Sequence, residues 1–402
     1  MDQKDTHGIC RLAAWAVAIC IGVAPAANLR VAAGETCAVA CQPADRPLVP
    51  CGPAWDLGLE VRAEYLLWWT DSLDVLPLVT TSPQDTPRDQ AGILGLPTTD
   101  TLFGGSGLNG DAHSGGRFAV SGWFDSCRSL GFELGYTFLE QDGAAFAQSS
   151  TGDPILARPF RNADTGLRDA GLTAYPDIAV GTLSIAAATR FQTAEALLRK
   201  TLIEDCEQRF TLLLGYRFAQ LEDDLTIADE MTSATDGSSL DLFDRFSTKN
   251  TFHGPQIGAL AERQSGVWTL QLLTKLALGN TRSQVGIDGW TTATAIDASQ
   301  ATSPGGFFAL TNLGRYEQDT FGGLTELGLK LRCDLGCHWR ASLGYSFLYW
   351  YYLARAGEQV DPTLSVGDLP PGQGHDGLYS SFQFNTTGFW AQGLDFGIEY
   401  RF

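Results

Sequence analysis

Three constellations in this 402-residue chain have residue types and spacings that can do chemistry. The first is "GSGLNG", Gly105 to Gly110, which matches the G-x-G-x-x-G spacing of dinucleotide sites. That spacing works when a buried strand precedes it and a helix follows, because the glycines then let backbone amides approach a pyrophosphate. Neither flank reads that way here, so these are loop glycines. The second is a pair of cysteine spacings, Cys37-x3-Cys41 and Cys333-x3-Cys337. Thiolates so placed can share a zinc ion, but no matching histidine pair accompanies them, and disulfides are the better reading. The third is acid–base chemistry: His113 stands near Asp111 and His375 beside Asp376. Such pairs can relay a proton, yet solvated loop residues give the same pattern, and neither G-x-S-x-G nor H-E-x-x-H occurs. The expectation is a protein that is not an enzyme and holds no metal or cofactor.

The chain starts with Lys4 and Arg11, an apolar run from Leu12 to Ala24, and the small-residue stretch "APAA". That is the layout of an export signal, too short to span a bilayer as a helix. Residues 1–26 read as a signal peptide, 27–56 as a periplasmic tail and 57–402 as the folded domain. Of nine cysteines, Cys10 and Cys20 leave with the signal, and Cys37, Cys41, Cys51, Cys127, Cys206, Cys333 and Cys337 meet an oxidising compartment. Cys333 and Cys337 flank the turn "DLG" and are expected to form a bridge. Cys127 with Cys206 is a second pairing, and bridges from the tail to the turns are the alternative. With 46 acidic residues against 27 basic and a net charge of -19, a nucleic-acid partner is not expected.

The elements that must position these residues alternate with period two. "LGFELGYTF" puts Leu130, Phe132, Leu134, Tyr136 and Phe138 on one face of a strand, and "FTLLLGYRF" and "WRASLGYSF" repeat the design. Ten strands are expected at about 57–69, 115–125, 130–141, 189–201, 207–221, 249–263, 266–281, 320–332, 338–350 and 390–402. Four connections are short turns, "DSCRS", "IEDCEQ", "RQSG" and "DLGC", and the other five are long. Strict short–long alternation predicts an all-β, up-and-down antiparallel transmembrane β-barrel of about ten strands, with twelve the alternative. Its turns are periplasmic and its long loops extracellular. The last strand should pair with the first, leaving no edge unsatisfied in lipid.

"AEYLLWWT", "GGRFAVSGWF" leading to "GFELGYTFLE", "SLGYSFLYW" and the closing "FWAQGLDFGIEYRF" resemble the bacterial putative β-barrel porin family 7, from about Leu57 to Phe402. The resemblance implies a bacterial outer-membrane barrel and brings no catalytic motif. Phe396, Ile398, Tyr400 and Phe402 also resemble the signal read by the outer-membrane assembly machinery, which makes that machinery and the outer-membrane lipid the expected partners. A ten-stranded barrel leaves one enzymatic alternative, a rim hydrolase, because omptin proteases have that architecture with acidic residues and a histidine at the outer rim.

A spanning barrel needs aromatic belts at both interfaces. Tyr65, Trp68, Trp69, Tyr349, Trp350 and Trp390 are expected at the outer one, and Trp123, Trp268 and Trp339 at the inner. The register opposite the apolar one should line the lumen: Glu60, Arg62, Glu64, Glu133, Glu195, Glu326, Asp395 and Glu399 with Arg199, Arg217, Lys330, Arg332, Arg340 and Arg401. Neighbouring opposite charges suit lumen salt bridges in a barrel too narrow for a wide aqueous pore. The first outer loop carries Asp71, Asp74, Asp85, Asp89, Asp100 and Asp111. The third carries Glu222, Asp223, Asp224, Asp229, Glu230, Asp236, Asp241 and Asp244. Solvation explains such loops, and bridging by divalent cations is the sharper reading. The expected function is a porin-like barrel in passive small-solute or ion passage or a structural envelope role. A surface-exposed binding module that uses the barrel as an anchor is the alternative.

Overall fold

The structure is a computed structural model that describes residues 58–402 except 109, 126, 206, 311 and 369–381. The expected signal peptide and tail, together with Cys206, His375 and Asp376, lie outside the described residues. The chain divides into two units, Met1–Ala40 and Cys41–Phe402, and every described residue belongs to the second.

Ten long strands carry the architecture: β1 Glu60–Thr70, β2 Ala112–Trp123, β3 Leu130–Leu139, β4 Ala179–Glu204, β5 Gln208–Ser233, β6 Ser239–Ser265, β7 Trp268–Thr294, β8 Gly314–Asp334, β9 Trp339–Leu353 and β10 Thr387–Arg401. Each pairs antiparallel with the next. β10 returns to β1 in unbroken register from Glu60↔Arg401 to Thr70↔Ala391, closing a barrel. Closure matters because an open edge would strand backbone polar groups in hydrocarbon. No described helix is long and apolar enough to cross a membrane, so any crossing is made by strands.

Outward positions are apolar and exposed, among them Leu134, Tyr136, Leu214, Tyr216, Leu270, Leu343, Phe396 and Ile398. Inward positions bury charge: Glu64, Glu133, Arg199, Arg217, Lys275, Glu326 and Asp395. That is a soluble protein turned inside out, as a bilayer requires. Two glycines of the repeated G-Y-x-F ending, Gly135 and Gly344, face inward where long side chains cross them, and the third, Gly215, lies against the backbone of Ala196. A Cβ on Gly135 would sit 3.1 Å from Glu195 Cγ, and one on Gly344 would sit 3.2 Å from Lys330 Cε.

The strands β4 to β7 run far past their expected ends, and the reason is an exchange of polarity. On β5 the outward residues are Phe210, Leu212, Leu214, Tyr216 and Phe218, then Gln220, Glu222 and Asp224. The inward ones are Thr211 and Arg217, then the buried Leu221, Leu225 and Ile227. The apolar stretch matches the nine to eleven or so residues with which a strand crosses a bilayer. Beyond it the same strand becomes the wall of a water-soluble lobe, polar outside and apolar within. The expected third outer loop is therefore a correction: β5 and β6 pair all the way to Thr232↔Ser239, around a tip at 234–238. Of its acids, Glu222, Asp223, Asp224, Asp229, Glu230, Asp241 and Asp244 stand on strands.

The true long connections knit into a head. Strands at Val79–Ser82, Asp100–Phe103, Ile155–Asn162, Arg168–Ala174 and Thr363–Leu364, drawn from three connections, form one five-stranded sheet. Its core joins Leu78, Val79, Leu156, Phe160, Phe307, Phe308 and Val360 to the inward faces of the extended strands at Ile185, Ile227, Phe246 and Ile287.

Candidate functional site

The barrel interior holds the chemistry-bearing side chains, in three layers. Nearest the short turns, Arg340 Nη1 meets Glu399 Oε1 at 2.8 Å and Arg340 Nε meets Asp334 Oδ1 at 2.8 Å. Arg401 Nη2 reaches the same Asp334 oxygen at 2.6 Å, and Arg332 bridges Glu262 and Glu399 at 3.6 Å each. Glu60, Arg199 and Arg209 line a hollow of about 320 Å³ at this end with Asp334, Arg332, Arg340 and Arg401.

The middle layer is one continuous network. Glu64, buried completely, is ion-paired with Arg62 Nε at 3.1 Å and accepts hydrogen bonds from Arg117 Nη1 at 3.2 Å and from Lys330 Nζ. Arg117 continues to Asp395 at 3.4 Å and Glu326 at 3.5 Å. Glu326 takes Arg217 Nη1 at 2.5 Å, and Lys275 Nζ reaches Glu195 at 2.5 Å. Arg62 and Arg199 share Glu133 at 3.4 and 3.5 Å. Neutral donors complete the carboxylates: Gln256 Nε2 donates to Glu195 at 2.8 Å and Ser346 Oγ to Asp395 at 2.5 Å. A charge in so dry a place is tolerable only when paired and hydrogen-bonded in this way. The cavity among these side chains is about 50 Å³. Ligand pockets run to about 300–1,000 Å³, so it has room for water and little else.

Above the charges lies an apolar layer. Leu66, Trp68, Phe191, Leu221, Phe252, Leu324, Trp350 and Phe389 pack across the lumen, each no more than 2% exposed. Trp68 Nε1 donates to Asp395 Oδ1 at 2.8 Å, and Trp350 Nε1 to Thr281 Oγ1 at 3.1 Å. Over this layer Arg355, from the last long connection, places Nε 2.6 Å from Asp223 Oδ2. In the head, Arg158 and Asp244 pair at 2.6 Å with both side chains fully buried.

All fourteen expected lumen charges point inward, and the network joins most of them. It also contains Arg117, Lys275, Gln256 and Ser346, which the sequence reading missed. Arg117 lies within the expected strand 115–125, and Phe118 and Val120 beside it face out and so set its register inward. Three belt assignments are corrected. Trp68, Trp350 and Trp123 are buried inside, whereas Tyr65, Trp69, Tyr349, Trp390, Trp268 and Trp339 stand on the outward register. Adjacent strand residues face opposite ways, so Trp68 with Trp69, or Tyr349 with Trp350, cannot both reach lipid. Trp123 instead stacks under Arg199, 4.8 Å from its guanidinium carbon.

The cysteine expectation also changes. Cys333 keeps a free thiol, so the Cys333–Cys337 bridge is not formed, while Cys127 and Cys337 are each disulfide-bonded. Cys333 lies on the outward register of β8, opposite Trp268, and cannot turn inward to the turn that carries Cys337. His113 is no loop residue. It lies on β2, 8% exposed, with Nε2 3.6 Å from Asp142. Gly107–Leu108 of the glycine-rich run forms a two-residue strand with Leu73–Asp74. Among the described residues, no three His, Cys, Asp or Glu side chains are grouped to hold a metal ion.

Several solved structures align with the chain over most of its length. The outer membrane protease OmpT from Escherichia coli aligns with a TM-score of 0.38 and 8% identity, covering 86% of this chain and 97% of that one. The P. putida toluene transporter TodX gives 0.20 and 8%, with 87% and 90% covered. A Pseudomonas aeruginosa FadL homologue gives 0.19 and 8%, with 86% and 89% covered. Among curated proteins, none matches. The model of the family "Putative beta barrel porin-7 (BBP7)" matches residues 61–402, from the second residue of β1 to the last of the chain. With its closed ring of ten strands and its apolar exterior, the chain belongs to this family of porin-like outer-membrane β-barrels.

Proposed function

We propose that this protein is a sealed barrel that anchors a folded head above the outer membrane, and that it is neither a diffusion pore nor an enzyme. The observation that carries the reading is the apolar layer from Leu66 to Phe389, which lies across the lumen directly over the paired charges. An ion crossing it would lose its hydration without gaining a polar partner, a cost no passive pore can sustain. Export through a cleaved signal, and insertion by machinery that reads Phe396, Ile398, Tyr400 and Phe402, belong to the same proposal. Divalent cations have fewer free carboxylates than the sequence suggested, because Asp223 and Asp244 are already held by arginines.

Planar-bilayer conductance tests it. Refolded wild-type protein should give no discrete steps, while a Trp68→Ala, Phe389→Ala double variant should conduct, because both side chains sit in the sealing layer. Regular single-channel steps from the wild type would overturn the sealed reading in favour of passive passage.

A further inference from the structure

The head leaves one long strand paired on a single side. Across β4 to β8 the row Gln192, Gln220, Thr251, Arg282 and Asp319 is the first outward row that is polar throughout, so the wall above it stands in water. Just above that row β2 and β3 part, where the Glu140 amide donates to the Ser114 carbonyl at 2.8 Å. The chain then continues as the strand Asp142–Ser150, which pairs with β4 from Asp142↔Thr189 to Ser150↔Gly181. Nothing described pairs with its other side, and no backbone hydrogen bond outside that ladder involves it among the described residues. Alternate residues of an antiparallel strand turn both N–H and C=O away from the partner, so about half of its nine residues present an open donor and acceptor. Side-chain exposure marks the same edge. Ile185 and Ala187 on β4 are each 3% exposed, whereas Phe146 and Ala144 across the ladder are only half-buried.

An open edge invites a further strand, and proteins guard such edges with charge, proline, bulges or brevity. The neighbouring edges of the head are guarded. Gln300–Pro304 is short and ends in proline, and Asp100–Phe103 is shorter still. Arg168–Ala174 opens on two charges and loses its register between Leu172 and Ala174, and the top of β8 carries Arg315, Glu317 and Asp319. Asp142–Ser150 has no such device. It is long and regular, it lacks proline, and after Asp142 it reads "GAAFAQSS" without a charge. Its small side chains let a second backbone approach to the strand spacing of about 4.8 Å.

The surroundings say what kind of strand fits. Inward residues of an added strand would meet Phe146 and Phe103, whose rings lie 5.4 Å apart, with Leu102 close by on the same core. Every second residue should therefore be apolar. Glu140 and Asp142 stand at the lower end of the edge and Asp153 just past the upper end, which favours basic termini. A second copy in the same membrane does not fit. An edge pairs symmetrically with its own copy in antiparallel fashion, about a two-fold axis perpendicular to the sheet. In the wall of the head that axis lies near the membrane plane, so it would insert the second barrel upside down.

We propose that the open side of Asp142–Ser150 takes an extended segment of a partner protein as an added strand, with alternate apolar residues against Phe146 and Phe103 and basic residues at its ends. The site deepens the anchor reading by giving the head a partner. The two fail separately, because conductance does not depend on this edge.

The test uses the full chain refolded in zwitterionic micelles. The probe is a synthetic peptide of the strand's length that alternates valine and threonine between terminal lysines. Hydrogen exchange read by mass spectrometry should find about half the amides of Asp142–Ser150 fast in the free protein. Peptide should slow those amides at least about tenfold and leave Gln300–Pro304 unchanged. The same peptide with every amide N-methylated has no donors and should protect nothing, and one with glutamates in place of its lysines should bind more weakly at low salt. Adjacent amides point opposite ways, so of Ala144→Pro and Ala145→Pro one breaks the ladder with β4 and the other alters only the open side. The variant that keeps wild-type stability should bind peptide at least about tenfold more weakly. Slow exchange throughout Asp142–Ser150 in the free protein would mean that the edge is already covered, and dimers that form without peptide and slow these amides would assign it to a second copy. Either result, no protection at the solubility limit of the peptide, equal protection by the N-methylated peptide, or undiminished binding by both proline variants would overturn the proposal.

Discussion

Replacing Glu64 with glutamine keeps its volume and removes one charge from the centre of the network. The carboxylate is completely buried and faces three cations. Arg62 would keep Glu133, and Arg117 would keep Glu326 and Asp395. Lys330 pairs with no other carboxylate among the described residues, so its ammonium would be left buried and alone. Breaking a buried pair by removing one partner costs about 3–5 kcal/mol, and the fully buried geometry places Glu64→Gln in that range. Glu317→Gln supplies the contrast. It breaks a pair with Arg282 in which both side chains are about half exposed, so solvent screens the attraction and the loss should be small beside that of Glu64→Gln. Urea unfolding in lipid vesicles, followed by tryptophan fluorescence, measures both. Adding Lys330→Met to Glu64→Gln should recover much of the loss, because the stranded charge is then gone. A Glu64→Gln protein as stable as Glu317→Gln, or a double variant no better than the single, would refute the claim that paired charge holds the lumen.

Two further outcomes are expected. Burial pushes the Asp229 carboxyl in the head up to about 6, partly offset by Arg158 and by the hydroxyl of Thr173, with Asp244 and Asp241 adding to the rise. The folded protein then binds this proton more tightly than the unfolded chain, so the associated stability is complete below the unfolded value of about 3.8 and lost as pH rises through about 6. Wild type minus Asp229→Asn, compared at pH 4.5 and 7.5 by unfolding, should show a difference of at most about 3 kcal/mol in favour of the acid side. A difference of the opposite sign would reject the assignment. Cys333 should take up a maleimide without prior reduction in unfolded protein, and Cys127 and Cys337 only after it, as peptide mapping can read.

Period-two alternation made the ten strands and their two faces legible, because one face had to meet lipid along its whole length. "FTLLLGYRF" could be nothing but a spanning strand, and Arg217 within it nothing but a lumen residue. The same reasoning stopped too early on "QLEDDLTIADEM". There the outward residues are polar and the inward ones apolar, so the run reads as an acidic loop to any scheme that keeps one phase throughout. Trp68 and Trp350 were misplaced for a related reason. Aromatic clusters were assigned to a belt by height alone, whereas alternation sends every second member inward. Arg355 and Arg158 could not have been anticipated, since each comes from a long connection and meets an aspartate far away in sequence, Asp223 or Asp244. The free thiol of Cys333 was legible in principle: Leu331 beside it in the apolar register fixes an outward side chain, away from the turn.

The exchange of polarity is more than a local irregularity, because adjoining strands make it together. The outward residues Ala196, Tyr216, Pro255, Leu278 and Gly323 carry no charge or amide, and those of the row through Gln220 are all polar. The row between, Ala194, Phe218, His253, Asn280 and Phe321, is mixed. A boundary shared by five strands is imposed from outside, by a solvent that changes there from hydrocarbon to water. Inside, the opposite change follows at about the same height, from the salt-bridged layer to the apolar one headed by Trp68 and Phe389. Below the boundary the exterior is already apolar and the narrow interior can be filled by paired charge. Above it the exterior must be polar, so the walls have only their inward faces with which to form a hydrophobic core, and the long connections fold in to supply the other half. The sealing layer thus stands where the head's core meets the barrel's lumen, and opening the lumen would remove support from the head. The Trp68→Ala, Phe389→Ala variant should therefore lose stability in the head as it gains conductance, and limited proteolysis of Ile155–Asn162 would register that loss. A variant that conducts with the head still fully protected would separate the two and make the seal an independent gate.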